Sequence, residues 1–140
     1  MSSATYAAAE KIPTGLQGPK CKLYSAYHVY GTPIAAEQTD QMVARFIIPY
    51  DFRIWRADYS ITIPDASGGV ENMEILVDGT AVSTAIDGSG LGTGVVSGSL
   101  QPLLPMQEYA AGSIVTIELD TKASSTVTDV AVTLVIQPVY

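Results

Sequence analysis

The chain has 140 residues, 47% of them apolar and only 15% charged, with a formal net charge of −7. That length suits one domain with a real hydrophobic core, and charge well below the usual ~25% suits a β protein with much of its surface covered, as in an assembly. A single cysteine, Cys21, excludes an intrachain disulfide and a thiolate metal cluster, and a single histidine, His28, leaves any hydrolytic triad or imidazole metal site resting on one residue.

The charge is uneven. Residues 1–56 carry six bases and four acids, whereas residues 57–140 carry one base, Lys122, and ten acids. A mildly basic leading segment on an acidic body suits a segment laid over an acidic neighbour, such as a second copy of the body. A net-acidic body argues against nucleic acid as its main partner, because phosphate binding needs a cationic face. No run of 18 apolar residues occurs, so no membrane span is expected. The opening MSSATYAAAEKIPTG lacks a basic n-region and a continuous apolar h-region, so the expectation is a protein made and kept in a cytoplasm, or assembled there into a particle.

In chain order, residues 1–42 read as an extended, partner-dependent arm. Ala7–Lys11 could close one helical turn, but Pro13, Gly15, Gly18 and Pro19 prevent its extension. Residues 22–30 hold Tyr24, Tyr27 and Tyr30 and could form the arm's one strand, ended by Gly31-Thr32-Pro33; residues 34–42 read as loop or short helix. The body, 43–140, opens with the apolar strand 45–49. The long strand Phe52–Ile63 follows, with Trp55, Ala57, Tyr59, Ile61 and Ile63 expected inward and Arg56, Asp58, Ser60 and Thr62 outward. Residues 64–69 are a dense turn signal. Met73–Val77 and Thr80–Ile86 flank Asp78-Gly79, a type I′ hairpin turn that needs positive φ at both central positions. Residues 87–99 read as a glycine-rich linker, and 101–109, with two prolines, resists both helix and central strand. Ile114–Asp120 and Val127–Val139 are the last strands. About six to eight strands at short spacing imply an all-β, antiparallel β-sandwich of jelly-roll type.

The candidate chemistry is thin. The glycines at 88, 90, 92, 94 and 98 are followed neither by the Lys-Ser/Thr of a phosphate loop nor by the G-x-G-x-x-G spacing before a helix. Glu71 with Glu74, and Glu118 with Asp120, are conceivable carboxylate pairs, although the latter two share a face opposite Val115, Ile117 and Leu119. Asp65, Asp78, Asp87, Asp120 and Asp129 sit at turns or strand ends, where oxygen ligands could hold calcium, but aspartate is also an ordinary turn residue. No cofactor and no catalytic residue is called for. Eight tyrosines against two phenylalanines suit surfaces that are apolar yet hydrogen-bonding. Lys20, Lys22, Tyr24, Tyr27 and Tyr30 are therefore the expected protein-contact residues, and Trp55, Tyr59, Ile75, Val77, Ile117 and Leu134 the expected core.

The segments FIIPYDFRI (46–54), MEILVDGTAV (73–82), YAAGSIVTIELD (109–120) and TDVAVTLVIQPVY (128–140) resemble the jelly-roll bodies of tailed-phage capsid decoration, or cement, proteins and related head-fibre proteins. The family often has an acid after the glycine of the third segment, where this chain has Ser113. The resemblance implies a non-enzymatic structural protein on the virion exterior, made in the host cytoplasm. It implies binding between capsomers to a major capsid protein and to copies of itself, as a trimer. The competing readings are a carbohydrate-binding or adhesin-like sandwich, and a small β-fold hydrolase for which no nucleophile–base pair is in view.

Overall fold

The computed structural model describes residues 22–64, 70–87, 93–121 and 126–139. Within these, the strands are β1 Tyr24–Tyr30, β2 Gln41–Ile47, β3 Phe52–Ile63, β4 Val70–Val77, β5 Thr80–Ala81, β6 Ile86–Asp87, β7 Gly94–Leu100, β8 Glu108–Tyr109, β9 Ile114–Thr121 and β10 Thr128–Pro138. There is no helix among the described residues. Two antiparallel five-stranded sheets face each other. One runs β1-β10-β3-β7 with β8 on β3; the other runs β2-β9-β4-β5 with β6 on β4. The protein is a β-sandwich.

Alternation builds the core. β9 buries Val115, Ile117 and Leu119 and half-exposes the residues between them. β3 contributes Phe52, Ile54, Ala57, Tyr59, Ile61 and Ile63, and β10 contributes Val130, Val132, Leu134 and Ile136. Each large aliphatic side chain removed from water contributes ~1.5–3 kcal/mol, which is why the period of two fixes the register of both sheets.

The parity of β3 changes midway. Ile54 pairs with Ile136 but Arg56 pairs with Val135, so Trp55 is an extra residue bulged out of the ladder. Phe52 and Ile54 point inward before the bulge, and Ala57, Tyr59, Ile61 and Ile63 after it. Trp55, expected in the core, is instead 50% exposed. Unbroken alternation through 55–63 made the expectation; the bulge puts Phe52 and Ile54 in Trp55's place. The other expected core residues, Tyr59, Ile75, Val77, Ile117 and Leu134, are buried.

Asp78-Gly79 makes the expected hairpin, with φ of 49° and 86° and Val77 paired with Thr80. The 87–99 stretch is not wholly linker: Gly94–Leu100 is β7, the neighbour of β3. The glycines matter there, because Tyr59 lies directly opposite Gly98 and a Cβ at Gly98 would sit 2.6 Å from the Tyr59 hydroxyl oxygen. The tyrosine ring occupies the space the glycine leaves.

The 24–42 region is tied into the body. β1 pairs with β10 along its whole length, and β2 starts at Gln41. Between them, Ile34 is buried and exchanges backbone hydrogen bonds with Val127 at 2.8 and 2.9 Å. Thr121 Oγ1 donates to the Ala35 carbonyl and accepts from the Gln38 amide. β1 thus takes one complete hydrogen-bond ladder from β10 of the same chain. Residues 1–21 of the expected arm lie outside the described residues.

Two substitutions test the bulge. Phe52→Ala should cost about 3–5 kcal/mol, and Trp55→Ala less than about 1.5 kcal/mol, by urea denaturation; the reverse order would place Trp55 in the core. Gly98→Ala should cost about 1–3 kcal/mol by overpacking against Tyr59, and an unchanged midpoint would contradict the contact.

Candidate interaction surface

The expected contact residues do not form one patch. Strand geometry sends Tyr24 and Tyr30 to one face of β1 and Tyr27 to the other. Tyr24, opposite Ile136, leans toward the second sheet, with its ring 6.3 Å from that of Tyr50. Lys22 Nζ lies 5.3 Å from the centre of the Tyr24 ring, a distance at which a cation is attracted to the ring face. The Tyr30 hydroxyl accepts from Gln41 Nε2 at 3.1 Å. The Tyr24–Tyr50 and Tyr30–Gln41 contacts join β1 to β2 and the turn after it, and Tyr24 and Tyr50 line a cleft of about 190 Å³ with Ile47, Ile48 and Pro49. Tyr27, by contrast, is 68% exposed on the outer face. Lys20 lies outside the described residues.

A second apolar surface stands on the 101–109 loop. Leu103, Leu104 and Met106 are exposed there. The loop is held by backbone bonds from Leu103 N to Val82 O at 2.8 Å and from Thr84 N to Gln101 O at 2.9 Å, and by β8 on the start of β3. Arg53 and Glu108 close an ion pair of 2.7 Å at its end. The loop is thus a fixed ridge with a cleft on each side. One, about 240 Å³, lies against Thr80–Val82. The other, about 450 Å³, is bounded by Trp55, Pro105, Met106, Gln101 and Gln137. Sequence reasoning missed this surface. The signal was present: three large apolar residues sit in a segment whose prolines bar it from a central strand.

The carboxylates gather elsewhere, on the outer face of the second sheet. Glu74 and Glu118 are directly opposed across β4 and β9. Asp120 Oδ1 accepts from the Asp40 amide at 2.6 Å, with Asp40 in the left-handed region at φ 52°. Burial first, then the negative charges of Asp40, Glu74 and Asp120, raises the Glu118 carboxyl above its ordinary value. Like charges directly opposite one another destabilise a strand pair.

Of the expected calcium ligands, Asp78 is a structural clamp: its carboxylate accepts from the Ile114 amide at 2.9 Å, and its own amide donates to the Ile114 carbonyl. Asp65 and the side chain of Asp87 lie outside the described residues. No three His, Cys, Asp or Glu residues among the described ones are placed to share a metal ion. His28 is exposed on β1, opposite Val132.

No family model and no curated protein matches the chain. Among solved structures it is similar to a chain titled as part of the cyanophage Pam1 capsid asymmetric unit. The TM-score is 0.52 at 13% identity, over 94% of this chain and 96% of that one. The two therefore share a fold along nearly their whole lengths.

A carboxyl whose folded pKa exceeds its unfolded value supports the folded state below the unfolded value and loses that support as pH rises through the folded one. Glu118→Gln should therefore stabilise the protein at pH 7. The gain over the parent should shrink as both are acidified toward pH 4, read as denaturation midpoints. A variant that loses stability at pH 7 would contradict the repulsion.

Proposed function

We propose that this chain is a non-enzymatic structural protein of a tailed-phage virion, which binds the outside of the capsid between capsomers and reinforces it. The observation that carries the reading is the whole-length fold similarity to a chain of a phage capsid asymmetric unit. The strand order supports the jelly-roll form of that fold: consecutive long strands change sheets from β1 to β2 to β3 to β4, and again from β7 to β9 to β10.

The ridge of Leu103, Leu104 and Met106 is the proposed contact with the major capsid protein. It is apolar and anchored at both ends, so little ordering cost opposes its binding. The leading segment, with Lys20 and Lys22, is the proposed arm over a neighbouring subunit. Each contact is small, and repetition over a symmetric shell multiplies weak contacts into stable attachment. Nothing in this mechanism requires a cofactor, nucleic acid or a membrane.

One observation favours a second reading, a carbohydrate-binding sandwich: the half-exposed Trp55 ring borders a cleft shared with Gln101 and Gln137. An aromatic face beside amide groups can stack on and hydrogen-bond a sugar ring.

Co-sedimentation with shells that lack the protein separates the two. The parent chain should bind, and the double substitution Leu104→Asp with Met106→Asp should weaken binding at least about tenfold without unfolding the body. Removing residues 1–21 should weaken it as well. No binding to any shell, together with glycan-array binding lost on Trp55→Ala, would replace the capsid reading with the sugar one.

A further inference from the structure

Among the described residues no strand pairs with the second edge of β1, and that edge is built differently from the other sheet edges. An open edge strand offers unpaired amides and carbonyls to any other strand, and proteins that remain monomeric blunt such edges with charge, proline, bulges or brevity. Among the described residues, β2 carries Arg45 and a register shift between Met42 and Ala44. β5 and β6 are two residues long. β7 begins on Gly94 and is interrupted by Gly98, and glycine weakens a strand. β1 is seven residues, YSAYHVY, with no Asp, Glu, Lys, Arg, Pro or Gly, and its register with β10 is unbroken. Its outer face also exposes Tyr27 and Val29.

The tyrosines of β1 are symmetric about Tyr27, at 24, 27 and 30. We propose that β1 is a self-association edge, on which two copies of the chain pair antiparallel across a twofold axis at Tyr27. Tyr24 then faces the partner's Tyr30 at both ends, Tyr27 faces its own copy, Ser25 faces Val29, and Ala26 faces His28. Aromatic pairs of this kind stabilise adjacent strands. No formal charge lies opposite a like charge within the strand, although each chain carries −7 overall. The two first sheets become one, running β7-β3-β10-β1 into its mirror order in the partner. The inference goes beyond the shell-binding reading and replaces the threefold ring implied by the family resemblance with a twofold dimer.

Light scattering of the full chain across a concentration series should give a dimer. Tyr27→Lys, at a position already open to solvent, should shift it to a monomer that still unfolds cooperatively and no longer has the parent's concentration-dependent thermal midpoint, because two ammonium groups would then face each other. In a Cys21→Ser background, Tyr27→Cys should oxidise to a disulfide-linked dimer, since directly opposed residues of antiparallel strands lie within disulfide reach. Val95→Cys, on the far edge at β7, should not. A trimer, or an oligomer that is indifferent to Tyr27→Lys and forms no disulfide with Tyr27→Cys, overturns the proposal. So does a monomer, and protection from hydrogen exchange of those β1 amides that do not bond β10 would then assign the edge to the chain's own leading segment. A dimer that fails to bind shells would leave this inference standing and remove the capsid reading.

Discussion

The central antiparallel pair of β3 and β10 governs the structure. These are the two longest strands, of 12 and 11 residues, and they lie side by side in the first sheet. β1 takes its register from β10, while β7 and β8 take theirs from β3. The bulge at Trp55 is therefore a property of the whole sheet. One extra residue on β3 lets Phe52 and Ile54 fill the core at one end while Ala57 to Ile63 fill it at the other. The residue left over must go outward, and because it is tryptophan, a large aromatic face appears beside the 101–109 ridge. Packing of the core thus determines what the surface displays.

The fold class was legible because it depends on a repeated local signal. Alternation in β4, β9 and β10, and the paired demand for positive φ at Asp78 and Gly79, needed nothing from distant residues. What escaped was non-local. Whether a strand contains a bulge depends on how the core volume closes against the opposite sheet, and Trp55 gives no sign of that in its own neighbours. β7 was hidden for a related reason: its glycines look like linker until Tyr59 on β3 is seen to cover Gly98. The attachment of residues 34–38 to the body is not legible locally, because Ile34, Thr121 and Val127, which make it, are far apart in sequence.

The expected contact residues show the same division. Tyrosine enrichment singles out the 24–30 segment in the sequence, but the faces of Tyr24, Tyr27 and Tyr30 follow from the register with β10. Tyr24 and Tyr30 are engaged with Tyr50 and Gln41 of the same chain, which rigidifies the edge. Only Tyr27 is left facing outward. A rigid strand loses less freedom on pairing than a loose one, so the internal contacts of two tyrosines favour any pairing made along the strand that carries the third.

Charge placement connects these surfaces. The opposed pair Glu74 and Glu118, with Asp40 and Asp120 beside it, lies on the outer face of the second sheet. The strand 24–30 and the apolar ridge at 103–106 carry no formal charge at all. Burial first, and then the neighbouring carboxylates, raise the Glu118 carboxyl, and like charges opposed across two strands destabilise the sheet that bears them, so their position is not explained by stability of the isolated chain. A net negative charge keeps a protein with large exposed apolar residues soluble, and it can do so without blocking contacts only if it avoids the contacting surfaces. The cluster of Asp40, Glu74, Glu118 and Asp120 stands apart from the β1 edge and the ridge, so its repulsion falls outside the two uncharged surfaces proposed for contact.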